Sequence, residues 1–196
     1  MKVQVKICGI RSIESALAAV SAGADFIGFN FVPSSKRYID PKICRELINH
    51  IRNRISVVGV FQNQPIDEVN MIADMLNLDF VQLHGEEDEL YIRKISRPII
   101  KRIDGANIAQ NVKTKFQLLD RKKQGKGDMV DLEKAKNLAA QFDIFFAGGL
   151  TPENVVAVIK KVKPFAVDVS GGIETNGKED SEKIKQFIKN AKGVEI

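Results

Sequence analysis

The chain has 196 residues and a formal net charge of +5, from 30 Lys and Arg against 25 Asp and Glu. That length allows one folded unit with a sizeable core, and a hydrophobic fraction of 44% excludes a disordered chain. No apolar run reaches the ~20 residues that cross a bilayer, and the two cysteines, Cys8 and Cys44, lack metal-ligand spacing.

Eight short strands are expected in chain order: about Val3–Cys8, Asp25–Phe31, Ile55–Phe61, Phe80–His84, Pro98–Ile103, Lys115–Asp120, Asp143–Gly148 and Phe165–Ser170. Several are near-continuous apolar runs, as in strands covered on both faces. Helical patterns lie between them. Ser12 caps the first, which stops near Gly23, and Asp40-Pro41 opens the second. Pro65 opens the third, and Glu87–Ile95 is a short fourth. Asp104–Val112 gives one or two turns, and Asp131–Gln141 a sixth helix. Thr151-Pro152-Glu153 starts a seventh, and Ser181–Ala191 is the eighth. No linker or composition break divides the chain, so residues 1–196 read as one α/β domain.

Strand–helix alternation argues for a parallel sheet, and eight units argue for a compact (β/α)8 barrel. Such barrels usually have about 250 residues, so the helices and loops here are trimmed. An open doubly wound sheet is the alternative. It usually carries a glycine-rich turn after the first strand, and Cys8-Gly9-Ile10-Arg11 is no such turn. Met1-Lys2-Val3 runs straight into a strand, and no signal peptide is expected. Free thiols fit a cytoplasmic setting.

Reactive groups in these barrels collect where strands end. The polar strand ends are Cys8, Asn30 with the following Arg37, the stretch from Phe61 to Asn63, His84, Asp120, Gly148-Gly149 and the run from Asp168 to Gly172. Glycine turns before a helix let backbone N–H groups approach an anion. Gly148 and Gly149, then Ser170, Gly171 and Gly172, supply two such turns after the last two strands, where phosphate sites often lie. Cys8 alone reads equally as a small core residue, and Cys44 fits a helix core. Asp120 ends an apolar strand, about ten residues before the next helix pattern, which weakens its reading as a cap. His84 can be a ligand, a base or a structural hydrogen-bond partner. With two histidines no metal cluster is expected. No G-x-S-x-G elbow is present. The basic run from Arg121 to Gly127 has no interleaved aromatics, so it reads as a solvated loop over the barrel mouth.

Taken together, these motifs are similar to a known family. They are K-I-C-G-I at Lys6–Ile10, G-A-D-F-I-G-F-N-F at Gly23–Phe31, S-K-R-Y-I at Ser35–Ile39 and V-V-G-V-F at Val57–Phe61. Q-L-H-G-E-E at Gln82–Glu87, L-L-D at Leu118–Asp120, G-G-L-T-P-E-N-V at Gly148–Val155 and F-A-V-D-V-S-G-G-I-E at Phe165–Glu174 complete the set. In this order they resemble the phosphoribosylanthranilate isomerases of tryptophan biosynthesis. The resemblance implies an Amadori rearrangement of a phosphosugar, with Asp120 as general acid and Cys8 as general base. It implies Arg37 beside the anthranilate carboxylate, His84 and Asp168 as substrate contacts, and the glycine turns on the phosphate. It implies no cofactor, nucleic acid or membrane, and a monomer or homodimer. The base wants a thiol pKa below its usual value of about 8.5, and the acid a raised one.

Two departures from the family pattern stand out. The loop after Asp120 is short, with Gln124-Gly125-Lys126-Gly127 in place of a longer glycine-rich segment followed by aromatics, and 104–115 is abbreviated. Gly171 stands where a second serine is common, which removes one phosphate hydrogen bond. The rival readings are a histidine-pathway phosphosugar isomerase, which resembles a carboxylate pair more than a Cys–Asp pair, and a phosphate-binding barrel of low or no activity.

Overall fold

A computed structural model of the chain describes residues 2–103, 114–120 and 131–195. Eight parallel strands close a barrel in the order in which they occur: β1 Gln4–Cys8, β2 Phe26–Asn30, β3 Ser56–Phe61, β4 Phe80–Leu83, β5 Ile99–Ile103, β6 Thr114–Leu119, β7 Ile144–Phe146 and β8 Ala166–Val169. Pairing of β1 with β8, which sets Lys6 beside Asp168, closes the barrel and excludes the open sheet.

The helices are α1 Ile13–Ser21, α2 Pro41–Ile51, α3 Ile66–Leu76, α4 Glu89–Arg93, α5 Leu132–Ala139, α6 Val155–Val162 and α7 Ser181–Lys192. Their starts follow the capping chemistry: Ser12, Asp40, Asp131 and Asp180 each accept from a backbone N–H in the first turn of their helix. The helix expected over Asp104–Val112 and the basic run 121–127 lie outside the described residues. One helix start differs from expectation. α6 begins at Val155 rather than at Thr151, because Asn154 folds back on the loop. Its Oδ1 accepts from the Thr151 N–H at 2.8 Å and its Nδ2 donates to the Gly149 carbonyl at 2.9 Å. β7 is also shorter than expected, ending before Gly148, whose φ of 91° turns the chain out of the strand. After β8 come a 3₁₀ turn, Gly171–Ile173, and an unanticipated hairpin of β9 Glu174–Thr175 and β10 Lys178–Glu179. Asn176 and Gly177, at φ 54° and 75°, form its turn.

The apolar residues form two layers. The larger lies between strands and helices, with Ile7, Ile27, Phe29, Phe61, Ile99, Phe146 and Val167 packed against buried faces of the helices. The smaller fills the barrel with Phe26, Val58, Ile100, Phe116, Leu118, Phe145, Ala147 and Ala166. Phe26, Phe80, Phe116, Phe145 and Phe165 touch ring to ring, with centroids 4.9 to 6.5 Å apart. Three of these rings enter at or just before a strand start, so the cluster floors the barrel. Interior polar groups therefore sit above it, toward the carboxyl ends of the strands.

Candidate active site

Residues alternate along a strand, so Lys6 and Cys8 share the inward face of β1. Cys8 is partly exposed at the mouth, whereas Lys6 is wholly buried. Lys6 Nζ donates to Asp168 Oδ2 at 2.9 Å, a buried ion pair between neighbouring strands. The other Asp168 oxygen, Oδ1, is buried and has no protein partner. Gly28 stands in register with Cys8 across β2. A Cβ there would lie 2.8 Å from Cys8 Sγ and 3.3 Å from Lys6 Cε, so the missing side chain leaves the space that both occupy.

His84 and Asp120 follow the ends of β4 and β6. His84 Nε2 lies 3.3 Å from Asp120 Oδ2, and His84 Nδ1 lies 3.2 Å from Gln82 Nε2. An amide nitrogen donates, so this orientation of Gln82 makes Nδ1 the acceptor and puts the ring proton on Nε2, facing Asp120. Burial pushes the Asp168 carboxyl above the ordinary range, Lys6 opposes that rise, and the Asp120 carboxylate adds to it.

At Cys8 the surroundings act in both directions on the thiol. Burial pushes the Cys8 thiol up, Lys6 is the strongest influence against that rise, Asp168 adds to it, and Arg37 also lowers it. Cys44 is a buried core thiol on α2, pushed up by burial alone.

A turn at Ser35, whose Oγ accepts from the Arg37 N–H, presents Arg37 from the loop after β2. Its guanidinium is held bidentately by Glu174, Nε to Oε1 at 2.6 Å and Nη2 to Oε2 at 3.0 Å. It packs close to Gly9 and Gly171. Gly148 and Gly149 have φ of 91° and 82°, which L side chains rarely adopt. Gly172 lies so close to the Leu150 carbonyl that a Cβ would collide with it, which brings the two glycine turns into contact. Among the described residues no group of three or more His, Cys, Asp and Glu is placed to hold a metal ion, and no helix is long and apolar enough to cross a membrane.

Residues 5–190 match the family model of N-(5'phosphoribosyl)anthranilate (PRA) isomerase. The chain belongs to this family of isomerases. The N-(5'-phosphoribosyl)anthranilate isomerase of Oceanobacillus iheyensis is 41% identical over 201 residues, covering 98% of each chain. The crystal structure of phosphoribosyl anthranilate isomerase from Thermotoga maritima superposes with a TM-score of 0.87 at 40% identity, covering 98% of this chain and 100% of that one. A further solved phosphoribosyl anthranilate isomerase, in complex with reduced 1-(o-carboxyphenylamino)-1-deoxyribulose 5-phosphate, gives 0.84 at 39% identity over the same shares.

In this isomerase fold, Cys8, Arg37, His84, Asp120, Asp168, Ser170 and the four glycines all lie at the carboxyl-terminal end of the barrel. Sequence reasoning passed over six residues there: Lys6, Gly28, Gln82, Arg11 and the hairpin glutamates Glu174 and Glu179. The signal for the first three was present, since each shares strand parity with a residue already singled out or stands in register with it.

Proposed function

We propose that this chain converts N-(5'-phosphoribosyl)anthranilate into 1-(o-carboxyphenylamino)-1-deoxyribulose 5-phosphate by an Amadori rearrangement, with Asp120 as general acid and Cys8 as general base. The observation that carries this reading is the gathering of these groups at one end of the barrel. Lys6, on the same inward face as Cys8, pairs with Asp168 of the neighbouring strand, and Asp120 at the end of β6 meets His84 at the end of β4.

In the proposed reaction the Asp120 carboxyl delivers a proton to the furanose ring oxygen. The C1′–O bond breaks as the anthranilate nitrogen pair forms C1′=N. The Cys8 thiolate then takes the C2′ proton. The C–H pair becomes C1′=C2′, the former C=N pair returns to nitrogen, and the resulting enolamine tautomerises to the ketone. Asp168 Oδ1, buried and without a protein partner, is suited to accept from a sugar hydroxyl. His84 lies against the acid and borders the same space. A guanidinium has five N–H donors, of which Glu174 takes two, so Arg37 retains donors for the anthranilate carboxylate. The phosphate falls to the backbone of Gly148, Gly149, Ser170, Gly171 and Gly172, where two loops meet.

The test is loss of anthranilate fluorescence on adding purified protein to freshly made substrate, together with growth rescue of a tryptophan auxotroph lacking this step. Turnover and rescue support the assignment. Tight substrate binding without turnover would make the barrel a phosphate-ligand binder instead.

A further inference from the structure

Lys6 is a charged side chain with no exposed surface. A lysine without solvent is costly unless its charge is matched. The match with Asp168 is half-used, since only Oδ2 takes the ammonium and Oδ1 is left without a partner. On its other side Lys6 shares with Cys8 the space opened by Gly28, within 3.3 Å of one point. The ammonium is thus enclosed between a carboxylate and a sulfur.

We propose that Lys6 is a positioning residue for the base: its ammonium eases formation of the Cys8 thiolate inside the barrel, and Asp168 keeps that ammonium in place. The catalytic consequence rests on the reading of Cys8 as general base. The charged groups facing Cys8 are Lys6 from its own strand, Asp168 from β8 and Arg37 from the loop after β2. His84 and Asp120 act one step further, through Asp168. Lys6 is the strongest of these in favouring the charged sulfur. Arg37 is already committed bidentately to Glu174.

The experiment is peptide-resolved iodoacetamide labelling of substrate-free protein across pH, which separates Cys8 from the buried Cys44. Lys6→Met is compared with wild type. Because that change strands the Asp168 charge, Lys6→Met/Asp168→Asn is also compared with Asp168→Asn alone. Removal of Lys6 is expected to lower the Cys8 labelling rate at pH 7 by about tenfold in both comparisons and to move the profile midpoint up by about one pH unit. Asp168→Asn alone is expected to move it down. A role in packing alone would leave these midpoints where they are. A double variant that superimposes on Asp168→Asn would overturn the proposal. A shifted profile combined with full turnover in Cys8→Ala would uphold the Lys6–Cys8 pairing while removing the base role. An unshifted profile with an inactive Cys8→Ala would do the reverse.

Discussion

His84 Nε2 faces Asp120 Oδ2 across 3.3 Å, and Gln82, buried beneath, meets the other ring nitrogen. This contact orients the proposed acid toward the imidazole. His84→Ala is expected to lower kcat by about ten- to hundredfold, ~1.4–2.8 kcal/mol of barrier, with KM changed less than threefold. Steady-state kinetics checks this. A rise in KM alone would make His84 a substrate-binding group only.

The hairpin after β8 carries two glutamates directly opposite each other, Glu174 and Glu179. Glu174 grips Arg37, and Glu179 accepts from Arg11 Nε at 2.7 Å. Arg11 also donates to the carbonyls of Lys36 and Gly177, at 2.9 and 2.8 Å, so it ties the loop of Arg37 to the hairpin. Arg11→Ala should therefore raise KM about five- to tenfold, ~1–1.4 kcal/mol, while kcat stays within about twofold. Thermal melts should show a small loss, since partly exposed ion pairs contribute ~1 kcal/mol or less. An unchanged KM would show that Arg37 is positioned by Glu174 alone.

Gly28 leaves space for a sulfur and a lysine stem, and a methyl group there meets the Cys8 backbone as well as its thiol. Overpacking of this kind costs about 1–3 kcal/mol. Gly28→Ala is expected to fold, to melt at a lower temperature and to lose at least about tenfold in kcat, because the displaced group is the proposed base. Wild-type kcat in this variant would mean that the thiol can move freely without consequence.

Much of the fold was legible in the sequence. Strands covered on both faces read as apolar runs, and all eight lie where those runs are. The lysine was less legible, for a physical reason. Alternation along β1 shows that Gln4, Lys6 and Cys8 share a face, but a polar member usually marks the solvent side. In a closed barrel that face turns inward, and Lys6 and Asp168 are buried as a pair. Their partnership spans 162 residues of chain and becomes visible once β8 closes on β1. The same holds for Arg37 and Glu174, 137 residues apart. The hairpin had a local signal, Asn176-Gly177, but its two-residue strands are too short for any periodicity. The early end of β7 was hidden because Ala147 continues the apolar run into Gly148.

Tyr91 on α4 donates its hydroxyl to the Gln64 carbonyl at 2.7 Å. Burial, with the Glu87 and Glu68 carboxylates, pushes that phenol up from 10.0 to about 12. The folded value exceeds the unfolded one, so the stabilisation is fully present below about pH 10 and is lost as pH rises toward 12. Tyr91→Phe should be less stable by ~1 kcal/mol at pH 8 and lose less further stability between pH 10 and 12 than wild type. Urea melts at pH 8, 10 and 12 check this. Parallel pH profiles for the two proteins would count against the linkage.

The central claim is that Cys8 and Asp120 act on one sugar held in one mouth. The most direct measurement is turnover by Cys8→Ala and Asp120→Asn, with calorimetric titration of each against reduced 1-(o-carboxyphenylamino)-1-deoxyribulose 5-phosphate. Each variant should lose about a hundredfold or more in kcat, the usual contribution of a general acid or base, while binding the analogue within about threefold of wild type. Turnover near the wild-type rate in either variant would contradict the account.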